Sequence, residues 1–291
     1  MRRVYITFTG SAYNEQTRIV AERALRLGAT DIRLYDEVWL MASGFVDRHR
    51  WLWEVKGLGN EHGRRGYGLY SWKPFIILEA LSRLEPGDMV LYVDADTYPI
   101  ADFSVLFDLC AKEGGHLAFM ATGTTEALCN RQWVKRECFQ CMGMDGPRWW
   151  GTPHAVARFM VFRREIARAC EHWQLEQFLT EWLQHATDRQ CQTFDFDPAI
   201  QLGGPHGDGP EFAFRDLTRA GSAAHRTEQA VYSLLCQKYG RRLHREACEF
   251  GNQCRQDWQY YPQLFHQEGR HGPHTEQGSA FRERFPVGGA V

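Results

Sequence analysis

Met89-Val90-Leu91-Tyr92-Val93 is an unbroken apolar run, bounded upstream by the Pro86-Gly87 turn and downstream by Asp94. It is apolar at every position rather than at alternate ones, and it is strand-length. That pattern predicts a strand covered on both faces, as in the centre of a parallel sheet. Such a strand needs helices on either side, and the neighbouring sequence supplies them. Val4 to Phe8 is a β-rich run, and Asn14 to Leu27 places Ile19, Val20, Ala24 and Leu27 on a helical stripe that Gly28 ends. Asp31 to Tyr35 reads as a second strand. Pro74 suits the first turn of a helix that Phe75, Ile76, Leu78, Ala80 and Leu81 carry to Leu84. A helix from Phe103 to Lys112 and a strand from His116 to Ala121 follow. Strand and helix thus alternate through the first 121 residues, which predicts an α/β chain with a mostly parallel central sheet flanked by helices.

Beyond residue 121 the alternation loosens. Arg158 to Arg163 reads as another buried strand, Arg164 to Gln184 as a helix and Glu228 to Tyr239 as a further helix. Asp188 to Thr218 is loop-rich. The last 28 residues are polar and rich in Gly, His and Arg, the composition of a tail that hangs loose or closes over a site.

Lys+Arg number 34 and Asp+Glu 36, for a formal net charge of −2, which argues against a dedicated nucleic-acid binder. No apolar run approaches the roughly 20 residues that span a bilayer, and the opening MRRVYITFTG lacks the apolar core of a signal peptide. Nine cysteines, odd in number and scattered, speak for a reducing compartment rather than a disulfide framework. The expectation is a soluble cytoplasmic chain. Cys138-Phe139-Gln140-Cys141 is a CxxC that Cys248 and Cys254 would in principle complete as a zinc site. Their spacing lacks the tight turn of such sites, and cysteine often serves as a small buried apolar residue.

The chemistry is concentrated in VLYVDADTYPI, residues 90 to 100. A buried strand ends in Asp94-Ala95-Asp96, so two carboxylates stand at the carboxyl edge of the sheet, where open α/β sheets bind ligands. Like charges so placed oppose joint ionisation unless a cation compensates them. Oxygen ligands suit Mg²⁺ or Mn²⁺, which hold a few protein carboxylates together with substrate phosphates. Two solvated aspartates at a turn are the simpler alternative. The nucleophile motifs GxSxG and HExxH and the phosphate loop GxxxxGK[ST] are absent.

VLYVDADT resembles the metal-binding strand of GT-A fold glycosyltransferases, above all family 8, the glycogenin and galactosyltransferase-like group. VYITFTGSAY, followed by a helix, is similar to that family's first strand and nucleotide-binding turn. The resemblance implies a single GT-A, Rossmann-like domain over 1–291. In it, 1–121 would bind the nucleotide sugar, 122–262 would face the acceptor and 263–291 would close over the site. It implies Thr9 beside the base or ribose, Tyr13 against a uracil, and Lys73 of Tyr70-Ser71-Trp72-Lys73 at the donor phosphate or sugar. The donor-binding set is then Thr9, Tyr13, Lys73, Asp94, Ala95 and Asp96. Gly10-Ser11 stands where the family has Asn-Asp. His225-Arg226-Thr227-Glu228-Gln229 resembles the family's Asp-Gln pair near the reacting sugar, which casts Glu228 and Gln229 as catalytic. Helix capping from Thr227 is an equal reading of the same residues. His266, Gly269 and Pro273 match an HxxGxxKPW signature in which Gly272 replaces the lysine and His274 the tryptophan. That match implies His266 as third metal ligand beside Asp94 and Asp96, with Arg270 or Lys73 supplying the missing cation.

The expected function is therefore metal-dependent transfer of a sugar, with retention, from a nucleotide diphosphosugar, a UDP-sugar by the resemblance, using Mn²⁺ or Mg²⁺. Inversion would need a carboxylate base, for which Asp195, Asp197 and Asp208 are candidates. Those residues with Glu211, the pair Trp149-Trp150, and Arg158 are candidates for sugar contacts. A nucleotidyltransferase or sugar-nucleotide hydrolase, or a non-catalytic sugar-nucleotide binder, would share the same sheet. The acceptor stays open among glycan, lipid-linked sugar, protein, small molecule and modified nucleic-acid base.

Overall fold

A computed structural model describes residues 1–9, 14–54, 67–121, 129–164, 175–192, 227–253 and 259–267. The chain enters on β1 (Arg3–Thr9), crosses by α1 (Asn14–Arg26) and returns on β2 (Asp31–Asp36), parallel to β1 with Val4 opposite Asp31. Three short helices follow: α2 (Glu37–Ala42), capped by the Asp36 carboxylate on the Trp39 amide, α3 (Phe45–Arg48) and α4 (Trp51–Glu54). Then α5 (Trp72–Ser82) leads to β3 (Met89–Val93), which pairs parallel with β1 on the side away from β2. The chain continues through β4 (Thr97–Pro99), α6 (Ser104–Lys112) and β5 (His116–Met120). Helices α7 (Asn130–Trp133), α8 (Arg136–Cys141) and α9 (Pro147–Trp150) precede β6 (Ala155–Arg163). After it come α10 (Leu175–Ala186), α11 (Arg189–Gln192), α12 (Thr227–Lys238), β7 (Leu243–His244) and β8 (Phe265–Gln267).

The six-stranded sheet has the order β2-β1-β3-β6-β5-β7, and β6 alone runs antiparallel to its neighbours. This is the α/β architecture the alternating pattern predicts, and the one sheet takes strands from both halves of the chain. The unbroken apolar run of β3 has a direct cause. Val90 and Tyr92 enter the layer under α5, α10 and α12, while Met89, Leu91 and Val93 enter the layer under α1 and α6. Alternate side chains face opposite layers, and both layers are closed. The helix expected from Arg164 is described only from Leu175 onward.

A second, two-stranded sheet joins β4 to β8, with Thr97 opposite Gln267, Tyr98 opposite His266 and Pro99 opposite Phe265. Phe265 anchors it by stacking at 5.6 Å from Phe103 and 5.7 Å from Phe159. The segment feeding β8 is held from below. The Leu264 amide donates to Ala247 O at 2.8 Å, and the buried Arg245 guanidinium donates to the carbonyls of Tyr261 and Pro262. The start of the expected C-terminal closure, residues 263–267, thus lies against the strand that follows Asp96.

The tight turn Glu249–Gln253 packs on this segment, and Gly251 there leaves no room for a side chain: a Cβ would overlap the Glu246 carbonyl oxygen and press on the Arg245 side chain. Gly251→Ala is expected to cost about 1–3 kcal/mol, the usual range for forced overpacking. Urea denaturation midpoints of the variant and the parent protein check this; an unchanged midpoint would show that the turn yields freely.

Candidate active site

From β1 the chain steps one way to β2 and then back across β1 to β3, so strand order reverses between β1 and β3. A crevice opens at the carboxyl ends of strands flanking such a switch. Thr9, buried, ends β1 there, and Asp94, Ala95 and Asp96, all half-buried, follow the end of β3. Tyr13, and the residues between Thr9 and α1, lie outside the described residues.

Lys73 comes from the first turn of α5 and is buried. Its ammonium lies 3.0 Å from Asp94 Oδ1, 3.0 Å from Glu228 Oε1 and 3.0 Å from the Ala157 carbonyl oxygen it donates to. The rings of Tyr70 and Tyr92 flank it at 5.1 and 5.4 Å. An ammonium has three N–H donors, and here each has an acceptor. Burial alone would lower the Lys73 proton affinity; Asp94 and Glu228 reverse this and raise it above the usual lysine value. Burial raises the Glu228 proton affinity above its usual value, against the pull of Lys73. The resemblance implies Lys73 at the donor phosphate or sugar; in this structure its three protons are engaged by Asp94, Glu228 and the Ala157 carbonyl.

Glu228 is equally fixed. Thr227 Oγ1 donates to its Oε2 at 2.9 Å, and the Trp182 indole N–H of α10 donates to its carbonyl at 2.9 Å. Thr227 bonds the neighbouring carboxylate and holds a positive φ of 46°, so its described contact is with a side chain and not with a helix amide. Gln229, half-buried, joins a different network. Its Nε2 lies 3.0 Å from His154 Nε2, and His154 Nδ1 lies 2.8 Å from Asn130 Oδ1. Because Asn130 Oδ1 also accepts from Ser233 Oγ at 2.7 Å, His154 must donate from Nδ1 and accept at Nε2. Ser233 in turn accepts the Ala155 amide at the start of β6.

On the other flank, Tyr92 donates its hydroxyl to Asp94 Oδ1 at 2.6 Å, and Asp96 accepts from Gln267 Nε2 and Thr97 Oγ1, each at 3.1 Å. Burial, and next the charge of Asp94, raise Asp96 above the usual carboxylate value. Arg158 donates to Gln267 Oε1, stacks over Phe250 at 4.9 Å and sits 4.0 Å from Glu246. Glu249 accepts the Gln267 amide at 3.1 Å. Among the described residues around this edge, Asp94, Asp96, Glu228, Glu246 and Glu249 stand with Lys73 and Arg158, more carboxylates than cations. The Tyr5 hydroxyl beneath the aspartates is buried with no hydrogen-bond partner among the described residues. Asp94 and Asp96, both half-buried, offer the oxygen ligands that suit a hard divalent cation such as Mg²⁺ or Mn²⁺.

His266 and Gln267 are neighbours on β8, and neighbouring strand residues face opposite sides. Gln267 takes the side of Asp96, and His266 Nδ1 lies 3.5 Å from Glu249 Oε2. Gln267, Glu249 and Glu246 are members of this edge that sequence reasoning missed; pairing of β8 with β4 was the signal needed. Trp149 and Trp150 are half-buried, Trp150 bonded to Asp145 and Trp149 under Arg148. Asp195, Asp197, Asp208, Glu211, Arg270, His271 and His274 lie outside the described residues.

No protein-family model matches the sequence, and no curated protein matches it. Among solved structures, mouse xyloside xylosyltransferase 1 in its apo form is similar at 13% identity and a TM-score of 0.42, over 92% of this chain and 98% of that one. The apo WbbM bifunctional glycosyltransferase is similar at 14% identity and a TM-score of 0.37, over 64% of this chain and 35% of that one. Apo glycosyltransferase GlyE of Streptococcus pneumoniae TIGR4 follows at 11% identity and a TM-score of 0.36, over 95% and 56%. Likeness this remote carries no activity across, so function rests on the site itself. No described helix is long and apolar enough to cross a membrane.

Removing the Lys73 charge leaves two carboxylates facing each other without their cation. Lys73→Met is expected to cost about 3–5 kcal/mol near neutral pH, as for other broken buried pairs. A carboxyl whose proton affinity is raised in the folded state favours folding below its unfolded value and loses that contribution as pH rises. The deficit should therefore shrink as pH falls into the carboxylate range, and Glu228→Gln should partly rescue the variant. Urea denaturation at neutral and mildly acidic pH checks both; a deficit independent of pH and of Glu228 would assign the loss to packing.

Proposed function

We propose that the protein is a glycosyltransferase that moves a sugar from a nucleotide diphosphosugar, best read as a UDP-sugar, to an acceptor with retention of configuration. The observation that carries this is Asp94 and Asp96 at the sheet's switch point, half-buried, with more carboxylates than cations around them among the described residues. The resemblance of residues 90–97 to the metal-binding strand of family 8 glycosyltransferases supports the same reading, and retention rests on that resemblance.

On this reading Asp94 and Asp96 hold Mn²⁺ or Mg²⁺. Bound there, the cation supplies Lewis-acid stabilisation of the charge that grows on the departing diphosphate. Lys73 fixes Asp94 through their ion pair, and Glu228 holds Lys73 from the far side as a positioning residue. Gln229, oriented by His154, has the exposure to meet the reacting sugar. Thr9 offers its β1 terminus to the nucleoside. His266, proposed as a further metal ligand, would have to exchange Glu249 for the cation, while Gln267 already stands on Asp96.

Asp96→Asn removes a charge at nearly constant volume. It should reduce Mn²⁺-dependent release of UDP from a UDP-sugar panel by about 10²-fold or more, on the scale of losing one electrostatic stabiliser. The same variant should lose the rise in Tm that UDP and Mn²⁺ together give the parent protein. That rise corresponds to about 2.7 kcal/mol at a hundred times Kd. Products carrying the sugar on phosphate would indicate a nucleotidyltransferase, and binding without turnover in the presence of acceptor mixtures would indicate a non-catalytic binder. Full activity in Asp96→Asn would sink the metal assignment.

The third protein ligand is open to a direct comparison. If His266 enters the metal site, His266→Ala should weaken apparent Mn²⁺ affinity in the presence of UDP more than Gln267→Ala does. The reverse order would give the position to Gln267.

A further inference from the structure

Away from the sheet edge, the CxxC of α8 meets side chains that its sequence spacing does not suggest. Cys248 is buried in the opposite core layer with its thiol on Glu246, so it cannot complete the pair. Instead α11 and the end of α10 pack beside α8. Cys141 Sγ lies 3.8 Å, and Cys191 Sγ 3.6 Å, from His185 Nδ1. The ligand atoms of Cys141, His185 and Cys191 all fall within 4.8 Å of one another. Cys138, one helical turn before Cys141 and fully buried, lies outside that group of mutually close ligand atoms, its sulfur 3.9 Å from Met142 Sδ.

We propose that Cys141, Cys191 and His185 hold a structural zinc ion, with Cys138 of the same α8 turning its sulfur in as the fourth ligand, a Cys3His site independent of the sugar-transfer reading. Zn–S bonds of about 2.3 Å and Zn–N bonds of about 2.0 Å in a tetrahedron require S···N edges of about 3.6 Å. Both observed sulfur–nitrogen separations are close to that edge. Cys138 would supply the fourth corner by turning its sulfur from Met142 Sδ, 3.9 Å away, toward the other three ligands.

The surroundings match what such a site needs. Zinc-bound imidazoles commonly give their second nitrogen to a carboxylate. A carboxylate stands near that nitrogen here: His185 Nε2 lies 3.7 Å from Glu181 Oε1, and Glu181 is itself held by Lys238 and, at 2.8 Å, by the Tyr239 hydroxyl. The main chain is braced at the same point, with Gln192 Nε2 donating to His185 O at 3.2 Å and the Cys191 amide donating to Asp188 Oδ1 at 3.2 Å. A zinc-bound thiol is deprotonated outright. Ligation would release three thiol protons to solvent and leave one net negative charge, which the charge of Lys135 beside Cys141 offsets. The role is structural, because four protein ligands leave no open position for substrate. The site would also brace the reaction edge. His185 lies one turn along α10 from Trp182, whose indole holds the Glu228 carbonyl.

The test uses the full chain purified under reducing conditions and dialysed against a weak chelator. One zinc ion per chain by mass spectrometry of the metal is expected, together with its release on mercurial titration of the thiols. Replacing it with Co²⁺ should give tetrahedral visible absorption and a thiolate-to-cobalt charge-transfer band, which the oxygen ligands of Asp94 and Asp96 cannot produce. Cys141→Ser, Cys191→Ser and His185→Ala should each lower retained zinc at least about tenfold, while Cys110→Ser should not. The wild-type metal content and cobalt spectrum stay decisive even if a variant folds poorly. Absence of zinc and of the thiolate band in the parent protein, or a disulfide joining Cys191 to Cys138 or Cys141, would overturn the proposal.

Discussion

A lysine ammonium cannot be buried alone at the end of a parallel sheet, because desolvation would strip its proton. Lys73 is kept charged by Asp94 from β3 and Glu228 from α12, and its third donor closes on the Ala157 carbonyl of β6. Those contacts tie the start of α5, the end of β3, the middle of β6 and the start of α12 at one atom. The cost of burying these charges is met only while all partners are present, so the arrangement is stiff. Asp94 inherits that stiffness: its Oδ1 is held by Lys73 and the Tyr92 hydroxyl together.

Asp96 is held by a different set of contacts. Its partners are the adjacent Thr97 hydroxyl and the Gln267 amide on β8, a strand that is itself docked through Phe265 and the Arg245 guanidinium. One carboxylate is therefore anchored in the main sheet and the other in the small β4–β8 sheet. A metal or phosphate site requires groups held in place, since positioning carries much of the energetics of such chemistry. Burial first, and then the charge of Asp94, raise Asp96 above the usual carboxylate value.

What could be read beforehand follows from locality. The strand Met89–Val93 was legible because a continuous apolar run between a turn and an aspartate has few other uses, and the helices beside it because their stripes are local. The aspartate pair was legible for the same reason. Lys73 and Glu228 were each singled out, yet their union was invisible, since nothing in either neighbourhood encodes a contact between α5 and α12. The side of β8 that meets Asp96 depends on a single register with β4, and moving it by one residue would exchange Gln267 for His266. The CxxC was visible too, but its neighbours in space come from the end of α10 and from α11 rather than from the next cysteines in sequence.

These two clusters meet in α10. Trp182 reaches toward Glu228 on one side of the helix, and His185 turns to the thiols near its end. Its carboxylate Glu181 gathers Lys238 and Tyr239 from the end of α12, while Trp182 binds the start of α12. The two helices are thereby fastened at both ends, with Phe178, Trp182 and Tyr232 packed between them. A shift of α12 along its axis would break an ion pair at one end and an indole hydrogen bond at the other. Glu228 therefore keeps its place against Lys73 through the far end of α12 as well as the near one. The organisation of the reaction edge accordingly extends to a region of the fold that touches no part of that edge directly.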